Sequence, residues 1–62
     1  MNNLIKLNSV KLMTGLSKSS IYNMMHKEGF PKKIYIGERA VAWVEAEIQQ
    51  WIEDKIYQSR VA

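Results

Sequence analysis

A chain of 62 residues with nine Lys or Arg, six Asp or Glu and no cysteine is one small domain, residues 1–62, whose core has to hold without a disulfide or a thiolate-bound metal. No apolar run comes near the roughly 20 residues of a membrane span, and the polar start Met1-Asn2-Asn3 is unlike a signal peptide, so no membrane partner and a cytoplasmic location are expected. The net charge of +3 is unevenly placed: residues 1–40 hold seven cations against two carboxylates, residues 41–62 two against four, which points one side of the molecule at a polyanion.

Leu4-Ile5-Lys6-Leu7 reads as a short extended stretch able to pair with a later strand, with Leu4 or Ile5, and Leu7, on the core. Asn8 or Ser9 then caps a first helix over about Ser9 to Thr14, with Val10 and Met13 turned inward. Gly15 suits the left-handed position that ends a helix, and Leu16 reads as a buried hinge residue.

The stretch Ser17 to Glu28 reads as a second helix. Ser17 is a good N-cap, because its side-chain oxygen can accept from a first-turn N–H that has no partner within the helix. Ile21, Met24, Met25 and Glu28 recur at i, i+3, i+4, i+7 and form the inward face. Gly29 stands where a left-handed residue ends a helix, and Pro31 follows. Opposite the apolar face lie Lys18, Ser19, Tyr22, Asn23 and His26, with Ser20 and Lys27 on the flanks. An ordinary solvated face mixes charge signs, since opposite charges at i, i+4 stabilise a helix. This face has hydroxyls, an amide, an imidazole and amines, and no carboxylate before Glu28. Such groups suit phosphate oxygens and base edges. Helix, glycine turn, helix is the helix-turn-helix pattern, in which the second helix enters the major groove of DNA.

Ile34 and Ile36 then alternate with Lys33 and Tyr35, and Val41 and Trp43 with Ala40 and Ala42, around Gly37-Glu38-Arg39. The expectation is a β-hairpin with Ile34, Ile36, Val41 and Trp43 on the core face, Lys33 and Tyr35 outside, and Arg39 at the tip. A hairpin in this place is a wing, which follows the DNA backbone or enters the minor groove, where Arg is favoured. The plainer reading of Arg39 is a loop residue paired with Glu38 or with a helix carboxylate.

The longest periodic segment runs from Val44 or Glu45 to Tyr57, with Val44, Ile48, Trp51, Ile52 and Ile56 as its apolar stripe. Glu45 and Glu47 in the first turn and Lys55 in the last complement the helix dipole. Gln58 to Ala62 is expected to fray. The fold expected is α+β and mainly helical, three helices with a hairpin wing.

Little in the chain serves catalysis. His26 is the only histidine and Asp54 the only aspartate, so no triad can be assembled apart from His26. A metal site needs three or four ligands, and one His with scattered Glu does not supply them. The three glycines are isolated and form no phosphate loop. No enzyme, cofactor, metal or small-molecule substrate is expected.

Four blocks occur together: Leu16-Ser17-Lys18-Ser19-Ser20-Ile21-Tyr22, then Gly29-Phe30-Pro31-Lys32, then Gly37-Glu38-Arg39-Ala40-Val41-Ala42-Trp43, then Glu47-Ile48 with Trp51-Ile52. In this order and spacing, over about Leu7 to Ile56, the chain resembles the AlpA family of prophage regulators. These are small winged helix-turn-helix proteins related to MerR-type and excisionase DNA-binding domains. The resemblance implies sequence-specific binding of double-stranded DNA and control of a prophage or mobile-element gene such as an integrase. It matches Lys18, Ser19, Tyr22 and Asn23 to the exposed start of the recognition helix, and Arg39 to the basic residue of the wing. Position 23 is often basic in such helices; here it is Asn, which suits an adenine edge if it reaches the groove.

Three readings follow. The first is a transcription regulator whose DNA-binding residues are Ser17, Lys18, Ser19, Ser20, Tyr22, Asn23, His26, Lys27, Lys33, Tyr35 and Arg39, working as further copies of itself on repeated sites. The second is an excisionase-like factor that uses the same surface to bend DNA. The third is a protein-interaction or inhibitor module using the Glu45–Tyr57 helix or the hairpin, marked by an exposed apolar patch on the last helix with Tyr57 and Val61 as candidates.

Overall fold

The computed structural model describes residues 3–27 and 29–61. The element order is β1 (Leu4–Ile5), α1 (Leu7–Thr14), α2 (Lys18–His26), β2 (Ile34–Tyr35), β3 (Val41–Val44) and α3 (Glu45–Val61). The three strands form one antiparallel sheet in the order β1-β3-β2. Three helices on a small sheet with a β2–β3 hairpin make the winged helix-turn-helix arrangement expected from the sequence.

The N-terminal stretch does pair with a later strand: Leu4 lies opposite Val44 and Ile5 opposite Trp43. Of the two alternatives for the inward residue, Ile5 packs on the core and Leu4 is exposed. The pairing continues past the strands, because the Glu45 N–H donates to the Asn3 carbonyl at 2.8 Å. Chain direction changes with no loop, since α3 begins at the residue after β3.

α1 starts two residues earlier than expected, at Leu7. Its N-cap is Lys6, extended at φ −86° and ψ 170°, with no side-chain capping bond. Neither Asn8 nor Ser9 caps it. Packing decides the start: Leu7 and Met13 lie against the core cluster and Val10 is fully buried, one stripe at i, i+3, i+6. Seating Leu7 in that stripe outweighs a cap worth about 1 kcal/mol. Gly15 ends the helix as expected, at φ 73°, with its N–H donating to the Lys11 carbonyl. Thr14 reinforces this end by donating from Oγ1 to the Val10 carbonyl at 2.7 Å and accepting from the Leu16 N–H. Leu16 is partly buried against the core.

α2 is capped by Ser17, whose Oγ accepts from the Ser20 N–H at 3.2 Å. The helix ends at His26, with Lys27 as its C-cap. The Gly29 N–H reaches back to the Met24 carbonyl at 3.1 Å. That 6→1 bond puts Gly29 in the second position beyond the cap, not the first as expected. Glu28, assigned to the inward face, lies outside the described residues.

The expected hairpin exists, but its faces differ. Ile34 is opposite Ala42 and Tyr35 opposite Val41, and the Ile36 N–H donates to the Ala40 carbonyl. Residues directly opposite share a face. Ile34 and Ile36 are therefore on the side of Ala42, and both are exposed. Tyr35 shares the side of Val41 and Trp43, and by alternation so does Lys33. The cause is the three-residue connection Gly37-Glu38-Arg39. It sets the pairing one residue away from the register that would gather Ile34, Ile36, Val41 and Trp43, and a one-residue slip inverts every side chain.

The core is Val10, Ile21, Met25, Phe30, Trp43 and Ile48, drawn from the three helices, β3 and the connection after α2. α3 contributes Ile48 fully and Trp51 and Ile52 in part; Ile56, expected in the same stripe, is exposed. Trp51 packs edge-on against Phe30, with centroids 4.9 Å apart, and its indole N–H donates to the Gly29 carbonyl. The expected fraying from Gln58 onward is not observed. α3 runs for 17 residues to Val61, and Ala62 lies outside the described residues. No helix is long and apolar enough to cross a membrane among the described residues.

Two substitutions test this packing. Trp43→Ala should cost about 3–5 kcal/mol, enough to leave so small a domain largely unfolded in a urea titration. Gly15→Ala should cost about 1–2 kcal/mol from the left-handed backbone alone, because nothing lies within 4 Å of the added Cβ.

Candidate nucleic-acid interface

Lys18 to His26 contains no carboxylate, and its polar side chains divide into two sets. Ser17 and Ser20 are occupied with each other. Besides accepting from the Ser20 N–H, Ser17 Oγ donates to Ser20 Oγ at 3.1 Å. Their work is to start the helix. Lys18, Ser19, Asn23, His26 and Lys27 are all exposed. Ser19, Asn23 and His26 stand at i, i+4, i+7, so they share one strip of the helix.

Tyr22 is not a purely solvent-facing residue. It is half-buried, counts among the side chains packed on the core, and meets Trp43 edge-to-face with centroids 6.4 Å apart. The Lys33 ammonium lies over the same ring, 5.1 Å from its centroid. The same ammonium lies 5.8 Å from the Tyr35 ring. Trp43, Tyr22, Lys33 and Tyr35 thus form a continuous stack from the core outward. A cation held against two aromatic faces is attracted by both quadrupoles. Lys33 can share that face only because the hairpin register puts it on the side of Trp43.

This stack ties α2 to the hairpin. Between them runs an open groove of about 330 Å³, lined by Tyr22, Met25, His26, Lys32, Lys33 and Tyr35. Of the residues expected to bind, the groove brings together Tyr22, His26, Lys33 and Tyr35. Ser17, Lys18, Ser19, Ser20, Asn23 and Lys27 lie outside its lining, along α2 and its ends. Arg39 is exposed in the hairpin connection and does not line the groove either. Lys32 is a member that sequence reasoning passed over. Its place in the Lys32-Lys33 pair was the available signal, because a groove wall can use both neighbours. The chemistry of the groove is cationic and aromatic, with no carboxylate in its wall. Among the described residues no three His, Cys, Asp or Glu side chains come together to hold a metal ion.

The sequence model of the family described as "Prophage CP4-57 regulatory protein (AlpA)" matches residues 3–56. The chain belongs to the AlpA family. AlpA relatives include the "DNA-binding transcriptional activator AlpA" of Escherichia coli, 32% identical over 58 residues, with 84% of this chain and 83% of that protein covered. Another is the "Uncharacterized protein ORF88" of Enterobacteria phage P4, 33% identical over 52 residues. There the match covers 84% of this chain but only 59% of the phage protein. The AlpA match takes in α2, the hairpin and the packed turns of α3.

Because Tyr22 contributes its ring to both Trp43 and Lys33, Tyr22→Phe should leave stability within about 0.5 kcal/mol of the parent. Tyr22→Ala should cost about 3 kcal/mol or more. Thermal denaturation of the two variants side by side checks this.

Proposed function

We propose that this protein is a sequence-specific regulator that binds double-stranded DNA and controls transcription of prophage or mobile-element genes such as an integrase. The observation that carries the reading is the carboxylate-free groove joining α2 to the β2–β3 hairpin, beside the exposed strip of Ser19, Asn23 and His26. The AlpA relative described as a DNA-binding transcriptional activator supports it. It acts by binding, in the cytoplasm where its DNA would be, and uses no small-molecule substrate.

In this mechanism α2 enters the major groove. Lys18, at the start of the helix, and Lys27, at its end, meet phosphates on the groove walls, and these contacts position without specifying. Ser19 and Asn23 face base edges, with the Asn23 amide matched to an adenine by paired hydrogen bonds. Lys32, Lys33 and His26 follow the backbone beside the helix. Lys33 is pre-oriented by Tyr22 and Tyr35, so less side-chain freedom is lost on contact. Arg39 reaches forward from the wing to the neighbouring minor groove. Ser17 and Ser20, engaged with each other, act by fixing the start of α2 and not by reading bases. A single small module buries about 600–1,000 Å² on DNA, so repeated half-sites occupied by more than one copy are expected.

Selection of bound fragments from random duplex DNA with the purified protein should yield one consensus. Affinity for it should fall with salt at a slope of about −0.9 per neutralised phosphate. Arg39→Ala should weaken binding, reduce that slope by about one, and leave the melting temperature unchanged. Asn23→Ala should lose about 1–3 kcal/mol of discrimination at one base pair. A flat salt response without sequence preference refutes the reading.

A further inference from the structure

α3 extends beyond what it packs against. Its described residues from Glu53 to Val61 are all exposed, and they carry Ile56, Tyr57 and Val61 at 46%, 68% and 63% exposure. These turns propagate from the packed part of the helix, yet they gain nothing from tertiary contact. Isolated helices below about 12–15 residues are marginal in water. Within the segment, Glu53, Ile56, Tyr57 and Arg60 stand at i, i+3, i+4, i+7, which is one helix face. They line a shallow concavity together with Asp54. The face therefore reads acid, apolar, apolar, base along the axis.

We propose that this face is a self-association surface and that its occupant is the same face of a second copy, antiparallel, around a two-fold axis passing between Ile56 and Tyr57. A two-fold interface has to be complementary to itself, and this stripe is. In the antiparallel arrangement each residue meets the one equally far from the axis on the other side. Ile56 packs on the partner's Tyr57, and Glu53 meets the partner's Arg60, twice by symmetry. Glu53 and Arg60 of one chain are about 10 Å apart along the helix, too far to pair with each other, whereas the partner's groups come level. The neighbouring charges are engaged within the helix: Asp54 accepts from Gln50 at 2.9 Å, and Lys55 lies 5.6 Å from the Trp51 ring centroid. Glu53 and Ile56 lie within the family match and Tyr57 and Arg60 beyond its end at residue 56, so the surface straddles the boundary of the matched region.

Four residues per copy cover far less than the roughly 800 Å² per partner of a stable complex. The association is therefore weak and gains when two copies are held close together. It requires no DNA, so it stands or falls independently of the proposed function.

Charge exchange in the free protein tests it. Sedimentation equilibrium of the wild type from about 10 μM to about 1 mM should show a monomer–dimer equilibrium that weakens with salt. Glu53→Arg alone sets like charges opposite each other at both ends of the interface, and so does Arg60→Glu alone. Each should weaken dimerisation by about tenfold or more, with helical circular dichroism unchanged. An equimolar mixture of the two variants should dimerise again, because the heterodimer restores an opposite pair at both ends. The double variant Glu53→Arg with Arg60→Glu should dimerise as the wild type does. A wild type that stays monomeric throughout, single variants that dimerise normally, or a mixture that fails to recover would each overturn the proposal.

Discussion

Trp43 is the residue around which the molecule closes. It is fully buried in the central strand, opposite Ile5 on one side of the ladder and edge-on to Tyr22 of α2. Its indole N–H is buried and has no acceptor among the described residues. Leaving such a donor unpaired costs about 1–3 kcal/mol. The domain tolerates that cost because no other side chain in so small a core brings comparable apolar area to the junction of sheet and helices. The contact between Trp43 and Tyr22 fixes how α2 stands relative to the hairpin, so core packing and surface geometry depend on one ring.

From that constraint the groove follows by register. The three-residue connection puts Lys33 and Tyr35 on the side of Trp43, and therefore next to Tyr22. Had Ile34 and Ile36 faced the core instead, the groove beside α2 would be lined by aliphatic side chains, and the lysine would stand on the far face. The arrangement has a cost, since Ile34 and Ile36 remain exposed at 38% and 46%. A hairpin that exposes isoleucines while half-burying a lysine departs from ordinary patterning, and such departures concentrate at functional surfaces.

What could be read from the residues divides along the same physical lines. Helix existence, the glycine end of α1 and the Ser17 cap were legible because each depends on local chemistry: a left-handed backbone, a side-chain oxygen near free N–H groups, and a 3.6-residue period. Pairing of the N-terminal stretch with a later strand was legible from its short apolar run, although its partners Trp43 and Val44 were not. The start of α1 was not, because Leu7 is held by a distant core and not by its neighbours. The hairpin faces were misread because period-two alternation has two phases. Only the turn geometry chooses between them, and Gly37-Glu38-Arg39 does not announce a three-residue connection. Within the candidate site, the exposed strip of α2 followed from periodicity. The double role of Tyr22 and the membership of Lys32 did not, since both depend on how α2 sits against the hairpin and its approach.

Gln58 to Ala62 was expected to fray as the last residues of a helix commonly do. The stripe expected on this helix ran through Val44, Ile48, Trp51, Ile52 and Ile56. The helix instead carries a second stripe, rotated away from the first and displaced toward Val61, whose residues meet nothing in their own chain. One helix therefore presents two faces in succession, the first spent on the core and the second left outward. The division falls near Ile52, where burial stops and the opposed charges of Glu53 and Arg60 begin to frame the apolar pair. Beyond that point the helix continues for nine described residues, with its apolar pair set between charges of opposite sign.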